Sequence, residues 1–209
     1  VFALGRALEG RPADADEQIG AYRAARAMRP DHYATVNNLG ILLSRKGDGD
    51  GAVECLRECL RLAPASARAH SNLGATLLDR KGDVAGAEAA FRESIRLDPT
   101  LADAHHNLGV ALEQKGDTNG AIASYREALR LKPGDPDTLN NLGVVLSRKG
   151  DAAGAIASYR EVIRLHPTFA KAHYNLGNAL RQQRDLDGAI ASYREAVRLD
   201  PKYIQAHYN

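Results

Sequence analysis

Proline recurs at Pro30, Pro64, Pro99, Pro133, Pro167 and Pro201, at intervals of 34, 35, 34, 34 and 34 residues. A fixed period in this range constrains the fold more than any single residue does, because it calls for a stack of near-identical supersecondary units. The text between the prolines almost repeats: GAIASYREALRL at 120–131, GAIASYREVIRL at 154–165 and GAIASYREAVRL at 188–199. Such a chain reads as an extended scaffold with one continuous surface rather than a globule closed around a pocket.

The unit 102–135 shows how each repeat is built. From Ala102 to Lys115 the apolar residues Ala104, Leu108, Ala111 and Leu112 keep the spacing of one helical face. Gly116 supplies the left-handed residue that stops the helix, and Asp117 stands ready to cap the next. That second helix turns Ala121, Ile122, Tyr125, Ala128, Leu129 and Leu131 inward, and Pro133 ends it. The same punctuation returns as Lys46-Gly47-Asp48, Lys81-Gly82-Asp83 and Lys149-Gly150-Asp151. Arg184-Asp185 departs from it, which predicts a weaker turn there. The expected class is all-α, a right-handed solenoid of stacked antiparallel helical hairpins, because neither helix of a hairpin can bury its apolar stripe alone.

These residues resemble the tetratricopeptide repeat, whose pattern is W-x2-L-G-x2-Y, then A-x3-F, then P, on a 34-residue period. Here it reads His70, Leu73-Gly74, Leu77, Ala87, Phe91 and Pro99, and again His105, Leu108-Gly109, Leu112, Ala121, Tyr125 and Pro133. It recurs from Leu139 to Pro167 and from His173 to Pro201, and matches more loosely from Val36 to Pro64. The implied division is a degenerate repeat over 1–32, repeats over 33–66, 67–101, 102–135, 136–169 and 170–203, and the start of another at 204–209. The unit 67–101 holds one extra residue between Gly74 and Gly82, which predicts a longer first helix or a one-residue bulge. Glu9 to Asp16 replaces a tight turn by a Gly- and Pro-bearing loop, so the first hairpin is expected to be the least regular.

Comparing the repeats with one another picks out a candidate surface. The residue two before the Leu-Gly glycine is always asparagine: Asn38, Asn72, Asn107, Asn141, Asn175 and Asn209. Asparagine is a poor interior helix residue, so its recurrence calls for a role. The resemblance implies that first helices line the inner, concave face, as in the superhelical array of O-GlcNAc transferase, where an asparagine ladder holds extended substrate. Two roles stand open: meeting a peptide backbone in the groove, or bracing neighbouring repeats. Beside the row, the charged slots one turn earlier are Arg68, Asp103, Asp137 and Lys171, and His106, Asn140 and Tyr174 stand immediately before their asparagines. Asn178 completes the candidate groove. A protein or peptide ligand of mixed charge fits this alternation better than a uniformly charged one. A carboxylate clamp of the chaperone-binding kind does not match, because Asn175 stands where its arginine belongs.

His70, His105, His173 and His207 share one slot in four of the repeats, too far apart to share a metal ion, and replace the bulky aromatic of the family pattern. Cys55 and Cys59 fall where other repeats hold Ser124 and Ala128, so they read as small packing residues. No nucleophile elbow and no phosphate loop is present. The chain therefore reads as non-enzymatic, with no metal and no cofactor expected.

Lys+Arg number 28 against 26 Asp+Glu, a net charge of +2, which argues against a nucleic-acid partner. No run approaches the length of a membrane span. Val1 begins inside a helical pattern without a Met, and Asn209 stops where other repeats continue with Leu-Gly, so the expectation is a piece of a longer protein, with the cytoplasm favoured as its compartment. A terminal repeat without a cap would expose Phe2, Leu4 and Leu8, or Ile204 and Tyr208. Self-association or spacing of other domains, or service as the substrate-recruiting arm of a glycosyltransferase or kinase, are the alternatives to peptide binding.

Overall fold

The computed structural model describes residues 15–202. Among them are eleven α-helices and one π-helical turn, with no strand. In chain order they are α1 (Ala15–Met28), α2 (Tyr33–Lys46), α3 (Gly49–Leu62), α4 (Ala67–Thr76) running into the π turn Leu77–Lys81, α5 (Val84–Leu97) and α6 (Ala102–Lys115). Then follow α7 (Thr118–Leu131), α8 (Pro136–Lys149), α9 (Ala152–Leu165), α10 (Ala170–Gln182) and α11 (Leu186–Leu199). Two compact units divide after Ala111, inside α6. The apolar chain ends and the loop before Asp16 named above lie outside the described residues, as do His207 and Asn209, apart from Ala15 and Asp16 at the start of α1.

The turn between the two helices of each described hairpin has a local cause. Asp48, Asp83, Asp117, Asp151 and Asp185 each accept a hydrogen bond from the backbone N–H three residues on, at 2.8–3.0 Å. That third residue is glycine every time; a Cβ on Gly154 would sit 2.5 Å from Asp151 Oδ2. The D-x-x-G pattern is therefore a cap together with the space it needs. At the other end, Gly47, Gly82, Gly116 and Gly150 take left-handed backbone, and Arg184 takes the same conformation at φ 64°. The sequence departure at Arg184 has thus left the turn's shape intact and put a strained side-chain-bearing residue into it.

The extra residue of 67–101 is absorbed as the bulge. In the other first helices the capping aspartate N–H reaches back five residues, as from Asp48 to Leu43 O at 2.9 Å; Asp83 reaches back six, to Leu77 O at 3.0 Å. One wide turn keeps the cap while the helix carries one more residue.

Packing follows the repeat in each unit. Helices α1 to α5 pack in sequence order, as do α7 to α11, and the first helices also touch one another, α2 with α4 and α8 with α10. The A-x3-F position of each second helix is the core anchor. Tyr22, Leu56, Phe91 and Tyr125 are wholly buried and Tyr159 and Tyr193 nearly so, each contributing about 1.5–3 kcal/mol of burial. Within the hairpin the aromatic ring lies over the Leu-Gly glycine: a Cβ on Gly74 would meet Phe91 at 2.7 Å, and one on Gly143 or Gly177 would meet Tyr159 or Tyr193 at 2.5 Å. The glycine of the motif is a seat for the ring. The second helix of 102–135 buries Ala121, Ile122, Tyr125 and Ala128 as the periodicity predicts, while Leu129 and Leu131 are half-buried.

The histidine slot also resolves. His70, His105 and His173 each place Nε2 within 2.9–3.0 Å of the carbonyl of Pro64, Pro99 or Pro167, six residues earlier. A carbonyl only accepts, so each ring carries its proton on Nε2 and pins the turn that enters its own helix. Cys55 and Cys59 are buried free thiols.

Candidate binding groove

The asparagine slot begins as a packing device. Asn38 Nδ2 donates to the hydroxyl of Tyr22 at 3.1 Å, and Asn37 Nδ2 lies 3.4 Å from Asn38 Oδ1. Asn72 Nδ2 then donates to Asn37 Oδ1 at 3.2 Å, one repeat back. The second unit repeats the arrangement: Asn175 Nδ2 donates to Asn140 Oδ1 at 2.8 Å, and Asn140 Nδ2 lies 3.4 Å from Asn141 Oδ1. Asn141 in turn bonds the phenol of Tyr125, whose hydroxyl donates to Glu113 Oε2 at 3.1 Å while Arg148 closes on Glu113 Oε1 at 2.5 Å. Burial, followed by the Glu113 charge, pushes the Tyr125 phenol well above its ordinary range, so it stays a neutral donor.

Asn140 needs correcting as a groove residue. It is completely buried, held between Asn141 and Asn175, and its amide is spent inside the wall. The signal for this was the doubled Asn-Asn at 37–38 and 140–141. Asn38, Asn72, Asn107, Asn141 and Asn175 are half-buried, each with an accessible portion.

In the first unit these residues border a groove of about 620 Å³. Helix α2 contributes Tyr33, Asn37, Asn38 and Ile41; α4 contributes Arg68, Ser71 and Asn72; Leu101 and the start of α6 contribute Asp103 and Ala104. Arg68 and Asp103 are exposed at matching slots of neighbouring first helices. Sequence reasoning singled out Asn38, Asn72, Arg68 and Asp103 and missed the apolar floor of Tyr33, Ile41 and Leu101. Ile41 was discoverable: it lies one turn past Asn38, the slot that Asn178 fills in its own repeat. Tyr33 is fixed by its hydroxyl, 2.7 Å from Ser66 Oγ.

In the second unit Asp137 on α8 and Lys171 on α10 are exposed, and Tyr174 is half-buried. The Tyr174 ring lies 5.9 Å from that of Tyr193, tilted by 47°, and the Tyr193 hydroxyl donates to Asn178 Oδ1 at 2.7 Å. Asn107 and His106 lie on α6, both half-buried. Among the described residues no three His, Cys, Asp or Glu side chains gather as metal ligands, and no helix is long and apolar enough to cross a membrane.

The tetratricopeptide repeat profile matches residues 37–102, 75–136 and 140–204. The chain belongs to the tetratricopeptide repeat family. Proteins of this family are generally non-catalytic interaction modules. Among solved structures, a crystal structure of MamA superposes with a TM-score of 0.72 at 26% identity, covering 83% of this chain and 94% of that one. YrrB, described as a tetratricopeptide protein with an unusual peptide-binding site, gives 0.72 at 21% identity over 90% of this chain and 96% of its own. PilW, a type IV pilus biogenesis factor, gives 0.89 at 18% identity over 99% and 96%. The last two likenesses are of fold. No curated protein sequence matches the chain.

Proposed function

We propose that this interaction module binds an extended peptide segment of mixed charge along the wall of its first helices. The observation that carries the reading is the first-unit groove, where Arg68 and Asp103 present opposite exposed charges beside Asn37, Asn38 and Asn72. A side-chain amide has two donor hydrogens and two acceptor lone pairs. Bracing takes one hydrogen of Asn72 and one of Asn175, which leaves each of them able to meet a peptide N–H and C=O. Neighbouring helices pack roughly 8–10 Å apart, about three residues of extended chain, so successive amides match every third peptide residue. The charges beside them would select side chains, and Tyr33, Ile41 and Leu101 would receive an apolar one.

A displayed library of linear peptides, panned against the protein, tests this. Peptides whose affinity falls about tenfold in Arg68→Ala or Asn72→Ala variants of unchanged helicity support the groove. Peptides indifferent to both substitutions sink it.

A further inference from the structure

The second helices of the second unit carry two arginines per repeat, in different surroundings. Arg130, Arg164 and Arg198 each close a fork on a carboxylate one turn back, Glu127, Glu161 or Glu195, at 2.6–2.7 Å. Their charge is neutralised within the helix. Arg126, Arg160 and Arg194, four residues earlier, are exposed. No carboxylate among the described residues pairs with any of them. One turn before each lies an exposed alanine: Ala123, Ala157 and Ala191. The result is three uncompensated guanidinium groups in register along α7, α9 and α11, beside a strip of low relief. In the first unit the same slot holds Arg23 and Arg57, both exposed, and Arg92, which is held by Glu88 on its own helix.

We propose that this arginine stripe is a docking surface for an acidic protein segment, an amphipathic helix with its carboxylates on the arginines and its small apolar residues on the alanines. It stands on the second helices, separate from the asparagine wall of the first helices. A guanidinium presents a planar fork that matches a carboxylate with two parallel hydrogen bonds. The repeat presents that fork at equivalent positions three times, so a partner carrying periodic carboxylates gains from each. The stripe lacks the aromatic side chains on which unpaired bases stack. Beside Arg126 and Arg160 it also lacks exposed large apolar side chains of the kind with which a surface enters a bilayer, and beside Arg194 it offers one, Ile190. An acidic protein segment is the occupant this chemistry favours.

The test uses the full chain and a fluorescein-labelled helical peptide of Glu, Ala and Leu, read by fluorescence anisotropy. A second peptide carries Gln for every Glu. The Arg126→Ala/Arg160→Ala/Arg194→Ala variant is expected to bind the acidic peptide about tenfold more weakly, since each exposed ion pair contributes little alone and three act together. The Arg130→Ala/Arg164→Ala/Arg198→Ala variant should lose less, and a variant with Lys at 126, 160 and 194 should recover part of the affinity. Circular dichroism checks that every variant keeps its helicity. No wild-type binding at low salt, equal losses in the two alanine variants, or equal affinity for the Gln peptide would each overturn the proposal. So would tighter binding of single-stranded oligonucleotide or phosphatidylserine vesicles through the same three arginines.

Discussion

Asn175 Nδ2 donates to the side-chain Oδ1 of Asn140 at 2.8 Å, joining the first helices of neighbouring repeats through a residue that has no access to solvent. Removing Asn175 strands the buried Oδ1 of Asn140, whereas removing Asn140 leaves partners that still reach water. Asn175→Ala should cost about 1–3 kcal/mol and Asn140→Ala about 1 kcal/mol. The double variant should lose less than the two together, by roughly 0.5 kcal/mol or more. Urea denaturation of the four proteins measures this, and strictly additive losses would remove the brace from the account.

The glycine seat under each anchor makes an ordering. A Cβ at position 177 would stand 2.5 Å from the Tyr193 ring, whereas one at 40 would stand 3.1 Å from Leu56 Cγ. Gly177→Ala should therefore destabilise by about 1–3 kcal/mol and Gly40→Ala by distinctly less. Thermal melts of the two variants should rank them that way.

Arg184 holds φ at 64°, a conformation its equivalents fill with glycine. Arg184→Gly should stabilise the chain by about 1 kcal/mol, the left-handed penalty of a residue with a Cβ, partly offset by glycine's greater freedom when unfolded. Gly150→Arg should shift the midpoint the other way. A melt in which both move downward would contradict the strain argument.

Burial, followed by the nearby Cys55 and Glu58, pushes the Cys59 thiol from 9.0 up to about 12. Between those values the unfolded chain has released the proton and the folded one has not, so stability is intact below pH 9.0 and falls as pH rises toward 12. Cys59→Ala, which copies the Ala128 slot, should flatten that alkaline decline. Equal slopes in denaturation midpoints of the two proteins across this range would rule the thiol out as its source.

Much of this was written in the residues. The period, the helix from Ala102 to Lys115, the aspartate caps and the bulge after Gly74 are local matters, set by spacing within one hairpin. Asn140 was misplaced for the opposite reason. Two consecutive asparagines look alike in sequence, and which one turns into the wall depends on how the next hairpin sits upon it. The floor of Tyr33, Ile41 and Leu101 was missed because it joins two residues of α2 to Leu101, the residue before α6, and no single repeat contains it.

The wide turn at Leu77–Lys81 lies after Asn72 and before Asp83. The added residue therefore leaves Asn72, on one side, paired to Asn37, and Asp83, on the other, capping α5. A chain of this kind can change length by single residues near the ends of its first helices without losing the phase of the hairpins that follow. Its surfaces are free to vary repeat by repeat, while the count that aligns them is restored within one turn.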